Sequence, residues 1–296
     1  GKGGDAPSGV PRYTKLRLQD VWQVLSLEQR SFEARRARVA DDVQRICQAR
    51  FSDTEARVPM TELERILDSA AQLEPPEPSM SLEATEAGRR AAMPTTELDS
   101  ILCEALGVEE SCNEKLLLHG TSAKCAYNIV YTGLDPNVTG RTLFGGGMYF
   151  ADNVGKTDQY ANEGLQPQGT CDEDSETSRL RDLLYGAGNA AALPTKKVHF
   201  VLVCRVILGI PVYTQDGKVA MAGKEDETCI TGGERILVEP TRRQLVHIPG
   251  VDPPTRFHSL IAEKGPVITR FCEFVVFNQA SALPLFLVAY TRECHL

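Results

Sequence analysis

An α+β body in which strands outnumber helices is the fold class the sequence predicts, on three observations. From Asn113 onward, short apolar runs alternate with Gly- and Pro-containing loops. Ahead of that region, Ser26 to Phe51 is helical in composition, with Leu27, Phe32, Val39, Val43 and Ile46 at roughly helical spacing among many Arg and Glu. Between the two lies an acidic stretch punctuated like a pair of short helices. Runs of strands set apart from helices point to α+β rather than to alternating βαβ units.

Residues 1–12 are rich in Gly, Pro and Ser and are expected to form a flexible N-terminus. Gly1-Lys2-Gly3-Gly4-Asp5 has no initiator Met and no apolar signal core, and reads as an excised domain or a tag scar. Tyr13 to Val24 sets Leu16, Leu18, Trp22 and Val24 at even spacing, a strand interrupted by Asp20. Residues 13–51 are thus a first strand and helix. Residues 52–112 hold an internal repeat, P-x-T-E-L-x-x-I-L at Pro59–Leu67 and again at Pro94–Leu102. Each copy opens on a capping pattern (Thr61 with Glu64, Thr96 with Asp99) and continues with an apolar stripe: Leu63, Ile66, Leu67 and Ala70, then Leu98, Ile101, Leu102 and Ala105. Glu74-Pro-Pro-Glu-Pro-Ser separates them, and no helix crosses it. The stripes suit two readings, short helices packed on the body or acidic amphipathic helices for a partner's groove. Within residues 113–296, Val198–Ile210, Glu273–Phe277 and Leu285–Tyr290 read as buried strands. Glu163–Lys197 reads as a polar loop around a short helix, Ser178–Leu184.

Composition excludes several classes. A 42% hydrophobic and 24% charged chain is that of a globular protein, and no run of 18 apolar residues exists to span a membrane. Nine Cys, scattered without a CxxC pair, argue against a disulfide framework and a zinc ribbon and for a reducing, intracellular compartment, cytoplasmic or nuclear. Residues 52–112 carry fourteen Asp+Glu against four Lys+Arg, a balance of −10 in a chain of net charge −8. The acidity therefore belongs to one segment, and the chain as a whole offers no strong signal for nucleic acid.

Three segments carry candidate chemistry: His119-Gly120-Thr121 after an apolar run, Tyr149-Phe150-Ala151 after three glycines, and Glu273 opening Glu273-Phe274-Val275-Val276-Phe277. Singly, each is ordinary: a histidine at a strand end, a buried strand, an edge charge. Taken together in this order they resemble the H-Y-E triad of the poly(ADP-ribose) polymerase (PARP) family, diphtheria-toxin-like ADP-ribosyltransferases. Asn113-Glu-Lys-Leu-Leu-Leu-His119-Gly120-Thr121 is similar to the family's N-E-R-x-L-x-H-G-T/S, and Phe144-Gly-Gly-Gly-Met-Tyr149-Phe150-Ala151 to F-G-x-G-I-Y-F-A. Lys156-Thr157-Asp-Gln-Tyr160 is similar to K-S-x-x-Y. The resemblance is close over about 115–290 and begins more loosely near Tyr13. It makes 13–51 the first strand and helix of a catalytic domain, 113–296 its core, and 52–112 an acidic helical insertion.

The resemblance implies a split mixed β-sheet and NAD+ as substrate. His119, Tyr149 and Glu273 would be catalytic. Glu273 would hold the nicotinamide-ribose hydroxyl and stabilise an oxocarbenium-like centre, a problem that glycosidases also solve with carboxylates. His119 would bond the adenosine ribose, and Gly120 would meet the carboxamide through its backbone. Thr121, Phe150, Ala151, Lys156 and Thr157 would complete the pocket, with Tyr149 lining the nicotinamide subsite and Tyr160 stacking on it. Gly145–Gly147 lead into a strand, so NAD+ would bind without a dinucleotide fingerprint. Gly133-Leu134-Asp135 would open a loop over the site, ending at Gly140. Cys171 and Cys204 stand where some relatives hold zinc, but without the other ligands, so no metal is expected. The implied acceptor is a protein, the chain itself included. Leu143 and Phe271 stand where polymer-making relatives carry Met and Tyr, which favours mono-transfer. The alternatives are an inert member of the fold serving as an interaction module, and a same-fold transferase acting on nucleic-acid ends.

Overall fold

The computed structural model describes residues 15–52, 102–138, 142–162, 164–166, 175–189, 193–265, 267 and 270–293. The chain divides into two units, residues 1–43 with 108–296 and residues 44–107, and both sheets belong to the first. The internal repeat lies outside the described residues but for Leu102, as do Gly140 and Cys171.

Two four-stranded sheets make the body, and every pairing in them but one is antiparallel. Strand β1 (Lys15–Gln23) is an edge strand, and its pairing with β8 (Ala282–Glu293) slips between Leu18 and Asp20, the point where Asp20 breaks the apolar alternation. Helix α1 (Gln29–Ser52) follows; its buried Phe32 and Val39, seven residues apart, pack with Ile207 and Leu283. Cys112, expected at the end of the insertion, is buried in that same cluster. It closes a 3-10 turn (Glu110–Cys112) that Asn113 leaves with a left-handed backbone, φ 51°, bonding through its side-chain amide to the Gly209 carbonyl.

Strand β2 (Glu114–Thr121) then pairs with β4 (His199–Ile207), and β4 with β8 (Ala282–Glu293), in the order β1-β8-β4-β2. Glu114 at the head of β2 is buried, and it is paired: Arg205 of β4 reaches it with Nε and, at 3.1 Å, with Nη2, while the Arg205 guanidinium lies 5.1 Å from the Phe32 ring centre. Helices α2 (Ala123–Thr132) and α4 (Glu176–Tyr185) pack together beside this sheet. The Tyr185 ring meets Trp22 edge-on at 5.5 Å.

The second sheet has shorter strands, in the order β3-β7-β6-β5: β3 (Met148–Phe150), β7 (Glu273–Val276), β6 (Ser259–Ala262) and β5 (Pro211–Thr214). Only β5 and β6 run parallel, which makes the sheet mixed. The strand expected over Val198–Ile210 ends at Ile207, because Gly209 turns with φ +53° and a Cβ there would meet the His258 ring at 2.5 Å. The short helix Glu176–Tyr185 lies where Ser178–Leu184 was expected, capped by Ser175. Strands β5 and β6 had no counterpart in the sequence reading; with two or three successive apolar residues each, they give too little pattern to read.

Candidate active site

Among the described residues, one backbone bridge joins the two sheets edge to edge. Leu118 of β2 and Ala151, just past β3, exchange both backbone hydrogen bonds, at 2.8 and 2.9 Å. Beyond that bridge the edges part, and this seam gathers the residues that the sequence nominated.

His119 follows Leu118. Its Nδ1 lies 2.8 Å from the Tyr149 carbonyl, which can only accept, so Nδ1 carries the proton and Nε2 presents a lone pair. Burial holds the imidazole below the usual histidine range and so keeps it neutral; its ring is 5.6 Å from that of Phe150. Gly120 comes next. In an antiparallel strand alternate residues face the same neighbour, so Gly120 directs its N–H and C=O to the side that Leu118 uses, past the point of parting. A Cβ on Gly120 would lie 2.0 Å from the Thr157 carbonyl oxygen. Glycine is therefore required by a packed backbone, a reason that adds to the ligand approach expected from sequence. Thr121 is buried at the end of β2.

Phe150 and Ala151 are buried in β3 and at the bridge. Tyr149 is only half-buried, and its hydroxyl is turned back onto the loop before β3. It accepts from Phe144 N–H at 3.1 Å, donates to the Gly145 carbonyl at 2.8 Å and bonds the Thr142 hydroxyl. Burial pushes this phenol's pKa up to about 12. Tyr149 thus stiffens the glycine loop, with its ring rather than its hydroxyl left to face a ligand. Thr142 was not nominated by the sequence reading.

Glu273 opens β7 and is 7% exposed. Its Oε1 accepts from Lys156 Nζ at 2.8 Å, and both side chains are close to full burial. Burial lowers the Lys156 pKa, but the hydrogen bond and charge of Glu273 outweigh it and leave the ammonium raised. Lys156 sits in a one-turn helix, α3 (Val154–Thr157), capped by Asn153. Thr157 is buried and donates its hydroxyl proton to the Val154 carbonyl at 3.0 Å, which leaves its oxygen as an acceptor. Tyr160 ends the following 3-10 turn (Asp158–Tyr160); it is 50% exposed, with the Lys156 ammonium 5.2 Å from its ring centre.

The structure therefore brings His119, Gly120, Tyr149, Phe150, Ala151, Lys156, Thr157 and Glu273 into one seam, with Tyr160 tied to it through Lys156. The sequence reading missed a further set below Tyr160. Asp158 is buried at 2% exposed and accepts from Tyr290 Oη at 2.6 Å and from Arg292 Nε at 2.9 Å. No local signal marks these residues, since their partners lie some 130 positions away.

In comparisons with known proteins, the sequence model of the poly(ADP-ribose) polymerase catalytic domain matches residues 100–292. The chain belongs to the poly(ADP-ribose) polymerase family, and its two-sheet α+β body is in keeping with that catalytic domain. None of the curated proteins matches the chain. No helix among the described residues is long and apolar enough to cross a membrane.

Proposed function

We propose that the chain is an NAD+-dependent protein ADP-ribosyltransferase whose chemistry is carried by Glu273. The observation that supports this most directly is a buried carboxylate at the seam of the two sheets with one oxygen taken by Lys156 and the other left for a substrate hydroxyl. Transfer breaks the bond between the nicotinamide nitrogen and the ribose anomeric carbon, and the electron pair leaves with nicotinamide. A nucleophile on the acceptor then bonds to that carbon and loses its proton. Negative charge beside the anomeric carbon lowers the energy of the cation-like state between the two events, while Lys156 fixes the direction of the carboxylate.

Each remaining group has a part its geometry suits. The Nε2 lone pair of His119 accepts from a ribose hydroxyl. The Gly120 backbone offers one donor and one acceptor to a carboxamide, with Thr157 Oγ1 as a second acceptor. The half-exposed Tyr160 ring is a platform for the flat nicotinamide, and the Tyr149 ring lines the same subsite. Phe150, Ala151 and Thr121 are the packed floor.

The product is a single ADP-ribose on a protein, the chain itself included. Phe271 supports this: it carries no hydroxyl, packs where a Cβ of Gly155 would meet its ring at 3.3 Å, and lies under the Arg270 guanidinium. Leu143, 45% exposed, offers only apolar surface. The seven free cysteines among the described residues accord with an intracellular setting. Residues 52–112 would serve a protein partner or acceptor rather than the NAD+ site, since none of the proposed groups comes from them. Incubation with labelled NAD+ and electrophoresis of the products tests the reading. A sharp labelled band is expected; a smear would overturn mono-transfer, and no label would overturn the activity.

A further inference from the structure

Tyr160 is the most exposed member of the proposed pocket, and a 3-10 turn of three residues has little rigidity of its own. It is nailed down from below. Asp158, at the head of the turn, takes hydrogen bonds on one carboxylate oxygen from Tyr290 Oη at 2.6 Å and Arg292 Nε at 2.9 Å. The Asp158 carbonyl accepts from Arg292 Nη2 at 2.7 Å. Past the turn, the Ala161 carbonyl accepts from Arg292 Nη2 at 3.3 Å and from His199 Nδ1 at 2.5 Å. Ala161 itself is packed against Val201 and Tyr290. His199 and Tyr290 are cross-strand partners of β4 and β8, so the long sheet grips the turn on both sides of Tyr160.

We infer that Asp158, with Tyr290 and Arg292, positions the Tyr160 ring and thereby sets affinity for the nicotinamide end of NAD+. A buried carboxylate held by a phenol and a guanidinium is a costly arrangement if its only task is to close a surface turn, because two charged groups lose water to make it. What it secures is the height of one aromatic plane above the seam. The inference rests on the transferase reading, in which Tyr160 meets nicotinamide. These are positioning residues, since none of them reaches the seam.

The test separates the two ends of the substrate. Benzamide probes the nicotinamide subsite, and ADP-ribose, which lacks that ring, probes the rest. In the full chain, Asp158→Asn should weaken benzamide about tenfold, near the effect of Tyr160→Ala, and shift the ADP-ribose Kd by less than about twofold. The KM for NAD+ should rise with kcat at saturation held within about twofold. Added to Tyr160→Ala, Asp158→Asn should have almost no further effect on benzamide, because its target is gone. Tyr290→Phe removes a single hydroxyl and should weaken benzamide about threefold in a protein that keeps its fold, so it carries the test if Asp158→Asn unfolds. Unchanged benzamide affinity in these variants, equal weakening of both ligands, or independent effects of Asp158 and Tyr160 would overturn the inference while leaving the transferase reading intact. A wild type that binds neither ligand would overturn both.

Discussion

The two sheets do different work because they are held differently. The β1-β8-β4-β2 sheet has strands of 8 to 12 residues, all antiparallel, whose long ladders set their register, with the Arg205–Glu114 pair as a side-chain clasp between β4 and β2. The β3-β7-β6-β5 sheet has strands of 3 or 4 residues, too short to set their own register. Side chains add to its short ladders: Ile210 N–H bonds His258 Nδ1, Ser259 Oγ donates to the Leu208 carbonyl, and Tyr149 Oη ties the loop ahead of β3. The long sheet supplies His119 at its edge and grips the turn bearing Tyr160; the short sheet supplies Tyr149 and Glu273. Each sheet thus brings its own groups to the seam, the long one a histidine and a gripped turn, the short one a buried carboxylate held by Lys156.

The largest effect should come from splitting those duties. Glu273→Gln keeps size and one acceptor but removes the charge facing the anomeric carbon, and should lower kcat by about 10²–10³-fold, roughly 3–4 kcal/mol. His119→Ala on the long sheet should instead act mainly by raising the KM for NAD+. Steady-state kinetics on both variants decide the matter. Equal losses of kcat from the two substitutions would erase the division between sheets, and wild-type turnover in Glu273→Gln would remove Glu273 from the chemistry.

The same difference explains what could be read from sequence. β1, β2, β4 and β8 are long enough for alternation or a buried run to show, and even the slip at Asp20 was visible as a break in the apolar spacing. β5 and β6 were not, because Pro211–Thr214 and Ser259–Ala262 offer only two or three successive apolar residues, whereas β7, as short, leads the unbroken run Phe274–Phe277. In the site, His119, Gly120, Tyr149 and Glu273 stood out because identity and order survive in a linear string. Asp158 did not: a lone Asp before Gln159-Tyr160 reads as a surface charge until the fold sets Tyr290 and Arg292 against it. Nor could sequence show that Tyr149 would spend its hydroxyl on Thr142 and Phe144.

Side-chain pins titrate, so the His258 pin of the short sheet should weaken in acid. His258 Nδ1 accepts from Ile210 N–H, which leaves the proton on Nε2, 3.5 Å from Asp42 Oδ2. Burial, then the charge of Arg35, outweigh Asp42 and push the imidazole's pKa down to about 4, with Arg38 acting in the same direction. The unfolded chain takes this proton near pH 6.5, so stability is full above that pH and is lost as pH falls towards 4, by about 3 kcal/mol. His119 and His199, also lowered, add to the slope. Denaturant unfolding between pH 7.5 and 4.5 should show His258→Asn, which keeps an acceptor for Ile210, losing less stability over that window than wild type. Parallel slopes would mean that this pin is not what acid breaks.

The smallest effect expected tests the pin nearest the chemistry. Tyr149→Phe keeps the ring but strips the hydroxyl from the buried N–H of Phe144 and from the Gly145 carbonyl. The carbonyl still has Thr142 Oγ1, so only the Phe144 N–H is orphaned, at a cost of about 1–3 kcal/mol. In a protein near this size each kcal/mol lowers Tm by about 2–4 °C. Since the ring remains to line the pocket and Glu273 is untouched, kcat should hold, and the KM for NAD+ should rise by a few fold as the glycine loop loosens. Calorimetry and steady-state kinetics on one preparation check both. A variant with unchanged Tm would show that the hydroxyl's three contacts do not hold the loop. A large fall in kcat would place the Tyr149 hydroxyl in the chemistry itself and end its assignment as a structural pin.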